Sequence, residues 1–333
     1  MAFYAIIEYL WSIITYSAAG GKPMISVVVI GRNEGDRLSS CLFSIQAALH
    51  VLKHEIIYVD SQSTDDSIAR AKACGAKCFL LSAEQTTAGL GRYVGAKEAK
   101  GEYLLFLDGD MELMPGFCEK AMMTMAQDDV SAVTGIREDV YVKNGEIIGR
   151  NENYFGCITE RICPEFGGAV FIKAQALEDA GSWSPDTIAC EEAELHARLI
   201  DSGCRILEIP VPMIRHTDAV REDRGITGTM FSRRRLGEGQ ALRCAMAHGK
   251  AGAYLRHESE KFSLYSIDWI SLLLILLFGV YGFLGALFFQ TAQLGRFLAR
   301  GRIRAFVSQK LFFFAFPAGL LTYTVRSRDY TAA

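Results

Sequence analysis

The sequence predicts an α/β fold in which a mainly parallel central sheet is flanked by helices, followed by a hydrophobic helical membrane-attachment region. Three observations carry that reading. Short β-branched runs alternate with stretches of helical periodicity between Ile25 and Asp108. Three of the runs stop abruptly at polar loops. Beyond Lys261 the composition turns apolar.

Ser26-Val27-Val28-Val29-Ile30 reads as the first strand and ends in the loop Gly31-Arg32-Asn33-Glu34. Leu38, Leu42, Ile45 and Leu49 then recur at three- and four-residue spacings, which marks a helix with one buried face. Ile56-Ile57-Tyr58-Val59 is the second strand, closed by a turn at Asp60, and a helix is expected over about 65–74. Cys78-Phe79-Leu80-Leu81 is a third short run. A helix over 89–100 leads to Tyr103-Leu104-Leu105-Phe106-Leu107, which stops at Asp108. Such alternation implies βαβ units and a sheet covered on both faces. Ligands bind beyond the carboxyl ends of such strands. The loops 31–34, 60–66 and 108–112 are therefore expected to meet at one crevice. Further on, 168–173 reads as a strand, Glu191–Asp201 as a helix with Leu195 and Leu199 inward, and 205–209 as a strand closed off by Pro210 and Pro212.

Half of the 333 residues are hydrophobic and the net charge is −3, which gives no support for a nucleic-acid partner. Nine cysteines are scattered without the paired spacing of a zinc site, Cys74 and Cys78 being the closest pair. They are expected as free, buried thiols in a reducing compartment, which places the main domain in the cytoplasm.

Residues 1–20 are apolar but carry Glu8 and lack the basic start of a secretory signal. An interfacial or packing helix is expected over 1–22. Residues 264–289 contain Asp268 as their one charge and are long enough to cross a bilayer. A second apolar stretch, 306–325, is interrupted by Lys310 and Pro317. If both stretches spanned, the intervening Arg296, Arg300, Arg302, Arg304 and Lys310 would lie outside, against the positive-inside tendency. An interfacial, monotopic or re-entrant attachment at the inner or plasma membrane is therefore favoured.

Asp108-Gly109-Asp110 puts two carboxylates together directly after an apolar strand, a pattern that suits a hard divalent cation on phosphate oxygens. Taken alone, the triplet also fits a capped turn. With Asn33-Glu34, Val59-Asp60-Ser61-Gln62-Ser63-Thr64-Asp65-Asp66-Ser67 and Gly91-Arg92-Tyr93-Val94-Gly95, it forms an ordered set. Residues 25 to about 220 thereby resemble a family 2 glycosyltransferase with the GT-A nucleotide-sugar-binding fold.

The resemblance implies that the loop Ile30, Arg32, Asn33, Glu34, together with Asp60 and Ser61, holds the nucleoside of a UDP- or GDP-sugar. It implies that Arg92 lies near the nucleotide or its diphosphate. Asp108 and Gly109 fall on ribose or metal, with Asp110 the direct ligand of Mg²⁺ or Mn²⁺ and His216 completing the metal site. Glu192, with Glu191 second, stands where the family places the general base, and Gly167-Gly168 falls at the acceptor side. Arg233-Arg234-Arg235 faces diphosphate, lipid phosphate or headgroups in this reading, and solvent in the plainer one. Two positions depart from the pattern, Ile30 for a proline and Tyr93 for an asparagine.

The resulting expectation has three parts. An N-terminal apolar helix occupies 1–22, a GT-A catalytic domain 23–260, and hydrophobic membrane-associated helices 261–333. The activity implied is transfer of one sugar, with inversion, to a polyprenyl phosphate, a lipid-linked sugar or a surface-polysaccharide precursor. The Gln-x-x-Arg-Trp element of processive synthases is missing. A nucleotidyltransferase would carry a longer, basic, Gly-rich loop after the first strand. A non-catalytic nucleotide-binding membrane scaffold would not need Asp108, Asp110, Glu192 and His216 together.

Overall fold

The computed structural model describes residues 23–127, 129–219, 233–299 and 303–333. The expected helix over 1–22, along with Arg300 and Arg302, lies outside the described residues. The chain divides into two compact units.

The first unit is built on one sheet. Its strands are β1 (Ile25–Gly31), β2 (His54–Asp60), β3 (Lys77–Leu81), β4 (Tyr103–Asp108), β5 (Met111–Leu113), β6 (Val130–Lys143), β7 (Glu146–Asn151), β8 (Arg161–Ile162), β9 (Val170–Lys173), β10 (Arg205–Ala219) and β11 (Tyr330–Ala332). Helices α1 (Asp36–Ala48), α2 (Ser67–Ala73), α3 (Ala88–Glu98), α4 (Phe117–Gln127) and α5 (Ala174–Asp179) connect them. The strand order is β11-β3-β2-β1-β4-β9-β6-β10-β5, with β7 on β6 and β8 on β10. β1 pairs in parallel with β2 on one side and β4 on the other, so the direction of strand progression reverses at β1. The register sets Gly31 opposite Asp60 and Ile30 opposite Asp108. All three strand ends therefore stand level, at the position where open sheets bind ligands.

The β-branched residues of β1 are buried, as expected of a strand in the parallel part of a sheet covered on both faces. Helix α3 reaches β1 closely through two glycines. A Cβ on Gly91 would lie 3.0 Å from Ile30, and one on Gly95 would overlap Val28.

Two features of the second half differ from the pattern expected. β10 is not closed off by Pro210 and Pro212 but runs on to Ala219. Its register against β6 shifts between Glu208 and Pro212, and again between Pro212 and Ile214. The irregular pairing leaves no ladder hydrogen bond waiting for the missing proline N–H groups. Arg326–Ala333 also returns to this unit, where β11 adds antiparallel to the edge of β3.

The second unit comprises Asp186–Arg198 and the described chain from Arg233 to Val325. It contains the start of α6 (Glu191–Asp201), a 3-10 turn (Arg233–Leu236), α7 (Gly237–Ala247), α8 (Ala251–His257), α9 (Ser259–Ala299) and α10 (Ile303–Thr322). Ala197, Ala241, Ala245 and Tyr254 form its small core. α10 lies directly on α7, since a Cβ on Gly239 would overlap the Phe316 carbonyl.

By length and composition α9 is apolar enough to cross a membrane, yet it is not a straight rod. Gly279 has φ 53° and ψ −124°, outside the helical region. A Cβ on Gly282 would overlap the Leu274 carbonyl, and Gln290 Nε2 donates to Asp268 Oδ1 at 2.9 Å. Residues 22 positions apart touch only if the chain folds back on itself, because a straight helix would hold them about 33 Å apart. α9 is a hairpin with its apex at Gly279.

Candidate functional site

The loops after β1, β2 and β4 are bonded into one floor. Ser61 N donates to the Gly31 carbonyl at 2.9 Å, and Gly109 N to the Ile30 carbonyl at 2.8 Å. Asn33 adopts φ 57°, and its side chain accepts from Thr64 N at 2.7 Å while its own N–H donates to Ser63 Oγ at 2.8 Å. Asn is among the residues that tolerate this left-handed conformation. Arg32 is exposed beside it. Asp60 is fully buried and accepts from Tyr58 Oη at 2.9 Å and Ser63 N at 2.7 Å. Its carboxylate braces the loop from beneath.

At the end of β4 the two carboxylates have different company. Asp108 accepts from Arg92 Nη2 at 2.8 Å. Arg92 is only 1% exposed and lies 4.9 Å over the Trp183 ring. Gly168 presses on this pair, since a Cβ there would stand 2.5 Å from Asp108 Oδ2 and 2.8 Å from Arg92 Nη2. Glycine is the residue type that lets the backbone approach so closely. Gly167 borders the same place, in a small pocket lined also by Arg137, Phe155 and Ile214.

Asp110 follows Gly109, and the antiparallel pairing of β5 with β10 sets His216 opposite Met111. His216 Nε2 consequently lies 3.5 Å from Asp110 Oδ2. The other ring nitrogen is 3.1 Å from Asp139 Oδ1 and 3.0 Å from Arg137 Nη2. Burial works against the charged form of both Asp110 and His216, but their mutual hydrogen bond and attraction prevail. The carboxyl of Asp110 is held below its usual range and the imidazole of His216 above its own.

Glu34 lies across Gly31 and Gly109, each of which would put a Cβ 2.9 Å from its Cγ. Arg37 pairs with it at 2.8 Å and reaches towards Asp110 at 3.9 Å. Burial raises the Glu34 pKa, Arg37 opposes that, and repulsion from Asp110 and Asp108 adds to it. Asp110 and His216 offer an oxygen and a nitrogen donor 3.5 Å apart, ligand types that a divalent cation takes. These residues fit such an ion.

The remaining expected residues belong to the second unit. Glu191 and Glu192 open α6, the first buried and the second half-buried. Glu194 on the next turn receives two bonds of 2.7 Å from Arg198, both side chains being buried. Arg233 and Arg234 are exposed at the 3-10 turn, whereas Arg235 is buried.

Sequence reasoning missed Arg37, Arg137, Asp139 and Trp183. A signal existed for two of them. Arg137 and Asp139 flank Glu138 in a run of three charged residues inside a largely apolar strand, and Asp139 stands opposite His216 in the register.

The fold, a large mixed sheet flanked by helices, is similar to that of GT-A glycosyltransferases. The mannosyltransferase PcManGT of Pyrobaculum calidifontis, in complex with GDP-Man and Mn²⁺, superposes with a TM-score of 0.56 at 16% identity over 96% of this chain and 95% of that one. GalNAc-T7 with UDP, GalNAc and Mn²⁺ matches 67% of this chain and 48% of its own at a TM-score of 0.51 and 15% identity. Residues 26–183 match the family described as Glycosyl transferase family 2. The glycosyltransferase AglE of Haloferax volcanii is 25% identical over 190 residues, 54% of this chain, and the match spans 62% of AglE's length.

Proposed function

We propose that the chain is a metal-dependent, inverting glycosyltransferase that moves one sugar from a UDP- or GDP-linked donor to a membrane-presented acceptor. A polyprenyl phosphate, a lipid-linked sugar and a surface-polysaccharide precursor are the acceptor classes. One observation carries the donor half. Asp110 and His216, from separate strands, come within 3.5 Å beside the meeting point of the loops after β1, β2 and β4. The cation in the PcManGT and GalNAc-T7 complexes supports the same reading.

In this reading the loop from Ile30 to Glu34, with Ser61, receives the nucleoside, and Asp60 holds that loop in shape. Asp110 and His216 would hold Mg²⁺ or Mn²⁺, with Asp108 beside them on ribose or metal, and the ion would supply neutralising charge for the departing nucleoside diphosphate. Arg92 orients Asp108 from below, and Gly168 keeps the space above the pair narrow on the acceptor side. Glu192 takes the proton from the acceptor hydroxyl as that oxygen attacks the anomeric carbon opposite the leaving diphosphate.

The test is to incubate the purified chain with a panel of UDP- and GDP-sugars and either cation, following release of nucleoside diphosphate. Asp110→Asn is expected to lower metal-dependent turnover by about 100-fold or more with an unchanged thermal unfolding midpoint. Full activity in that variant removes the assignment. Glu192→Gln is expected to bind donor normally by calorimetry and to transfer about 100-fold more slowly. Normal transfer would move the base elsewhere.

A further inference from the structure

We infer that the α9 hairpin inserts into one leaflet of a phospholipid bilayer and leaves by the face it entered. Its geometry carries the inference. Each arm is apolar only near the apex, from Trp269 to Phe278 on the way in and from Val280 to Phe289 on the way out. Each apolar half-arm measures about 15 Å at 1.5 Å per residue. A hydrocarbon core is about 30 Å thick, so the apex comes to rest near the midplane.

The tip is unclothed by protein. Leu276 is 73% exposed, Val280 72% and Tyr281 82%. No polar or charged side chain other than the Tyr281 hydroxyl stands at the turn to meet headgroups on the far side. Gly279 is the one residue outside helical geometry in the hairpin. A reversal this tight leaves few peptide groups without internal hydrogen bonds, the condition for a turn buried in hydrocarbon.

The base has the opposite character. Asp268 is buried there against Gln290 and the ammonium of Lys310. Beyond the apolar half-arm, Arg296 is exposed where anionic headgroups would be. Insertion from one side also keeps Arg296 on the face from which the hairpin enters. The conflict with the positive-inside tendency then disappears. The insertion requires nothing of the donor site, so its failure leaves the transfer reading untouched.

The experiment places a tryptophan at the apex. The full chain carrying Val280→Trp is reconstituted into vesicles of phosphatidylcholine mixed with phosphatidylglycerol. Fluorescence beyond that of the unmodified chain is quenched with lipids brominated near the headgroup, at mid-chain or at the chain end. Strongest quenching by chain-end bromine, with no quenching by iodide on either side, is expected. Quenching by headgroup bromine and by iodide on the side opposite Arg296 would mean a full crossing and overturn the inference. Absence of bromine quenching, with self-association of the chain instead, would make the tip a contact between copies and also overturn it. A second variant, Leu276→Asp, is expected to lower partition into these vesicles by on the order of 100-fold, with the unfolding midpoint in detergent unchanged. Unaltered partition would likewise sink the inference.

Discussion

In the proposed site, His216 is the residue at which protons and metal would compete. Its imidazole has a raised pKa because Asp110, and to a lesser extent Asp139, faces it, while burial and Arg137 act the other way. A raised folded-state pKa means that its contribution to metal-free stability is complete below the unfolded value, near 6.5, and is lost as pH rises through the folded value. Asp110 is lowered, so its contribution is complete above the ordinary carboxylate range and is lost as pH falls through its folded value. The pair therefore helps most between those two ranges. Chemical denaturation of metal-free protein from pH about 5 to about 8 is expected to show a stability decline that His216→Ala flattens. The same proton must leave before the ring can ligate, so Mn²⁺ affinity by calorimetry should strengthen over that interval. At this scale the sequence was legible where a motif is contiguous. Asp108 and Asp110 announce themselves, whereas Arg137 and Asp139 act on His216 through a strand pairing across 79 and 77 residues.

Among the elements, α3 against β1 shows how a close approach decides a residue. Replacing Gly95 by alanine would favour the helix by about 1 kcal/mol on intrinsic propensity. The new Cβ would overlap Val28 in a β1 strand buried on both faces, and overpacking of that kind costs about 1–3 kcal/mol. The steric term is the larger, so Gly95→Ala should be net destabilising by urea denaturation. The first four strands and their helices were readable because hydrophobic period and turn residues agree there. β10 was not, because two prolines ordinarily end a strand and here sit at register shifts instead. The fold of α9 was hidden for a related reason. A single glycine reverses the chain inside an apolar run, and composition alone does not separate that from one long span.

For the whole molecule, the second unit holds a buried ion pair between Glu194 and Arg198, spaced one helical turn apart. The first unit depends on a segment from far along the chain. β11 covers the edge of β3, Tyr330 Oη donates to Glu98 at 2.5 Å, and Arg326 donates to Gln85 at 2.6 Å. Removing Arg326–Ala333 would leave β3 as an open edge, a template for intermolecular pairing. The shortened chain is expected to show a lower unfolding midpoint and concentration-dependent aggregation by light scattering. Three residues with no flanking apolar pattern gave no sign of this strand, since its stabilisation comes from the partner it meets and not from its own propensity.

That late strand gives the sheet a schedule. At about 5–20 residues per second, a ribosome delivers Tyr330 on the order of tens of seconds after Leu81. Throughout that interval β1 to β4 can pair, while the outer edge of β3 waits. The apolar α9 hairpin emerges before the strand that closes the edge. Synthesis therefore presents the apolar hairpin first and completes the sheet last.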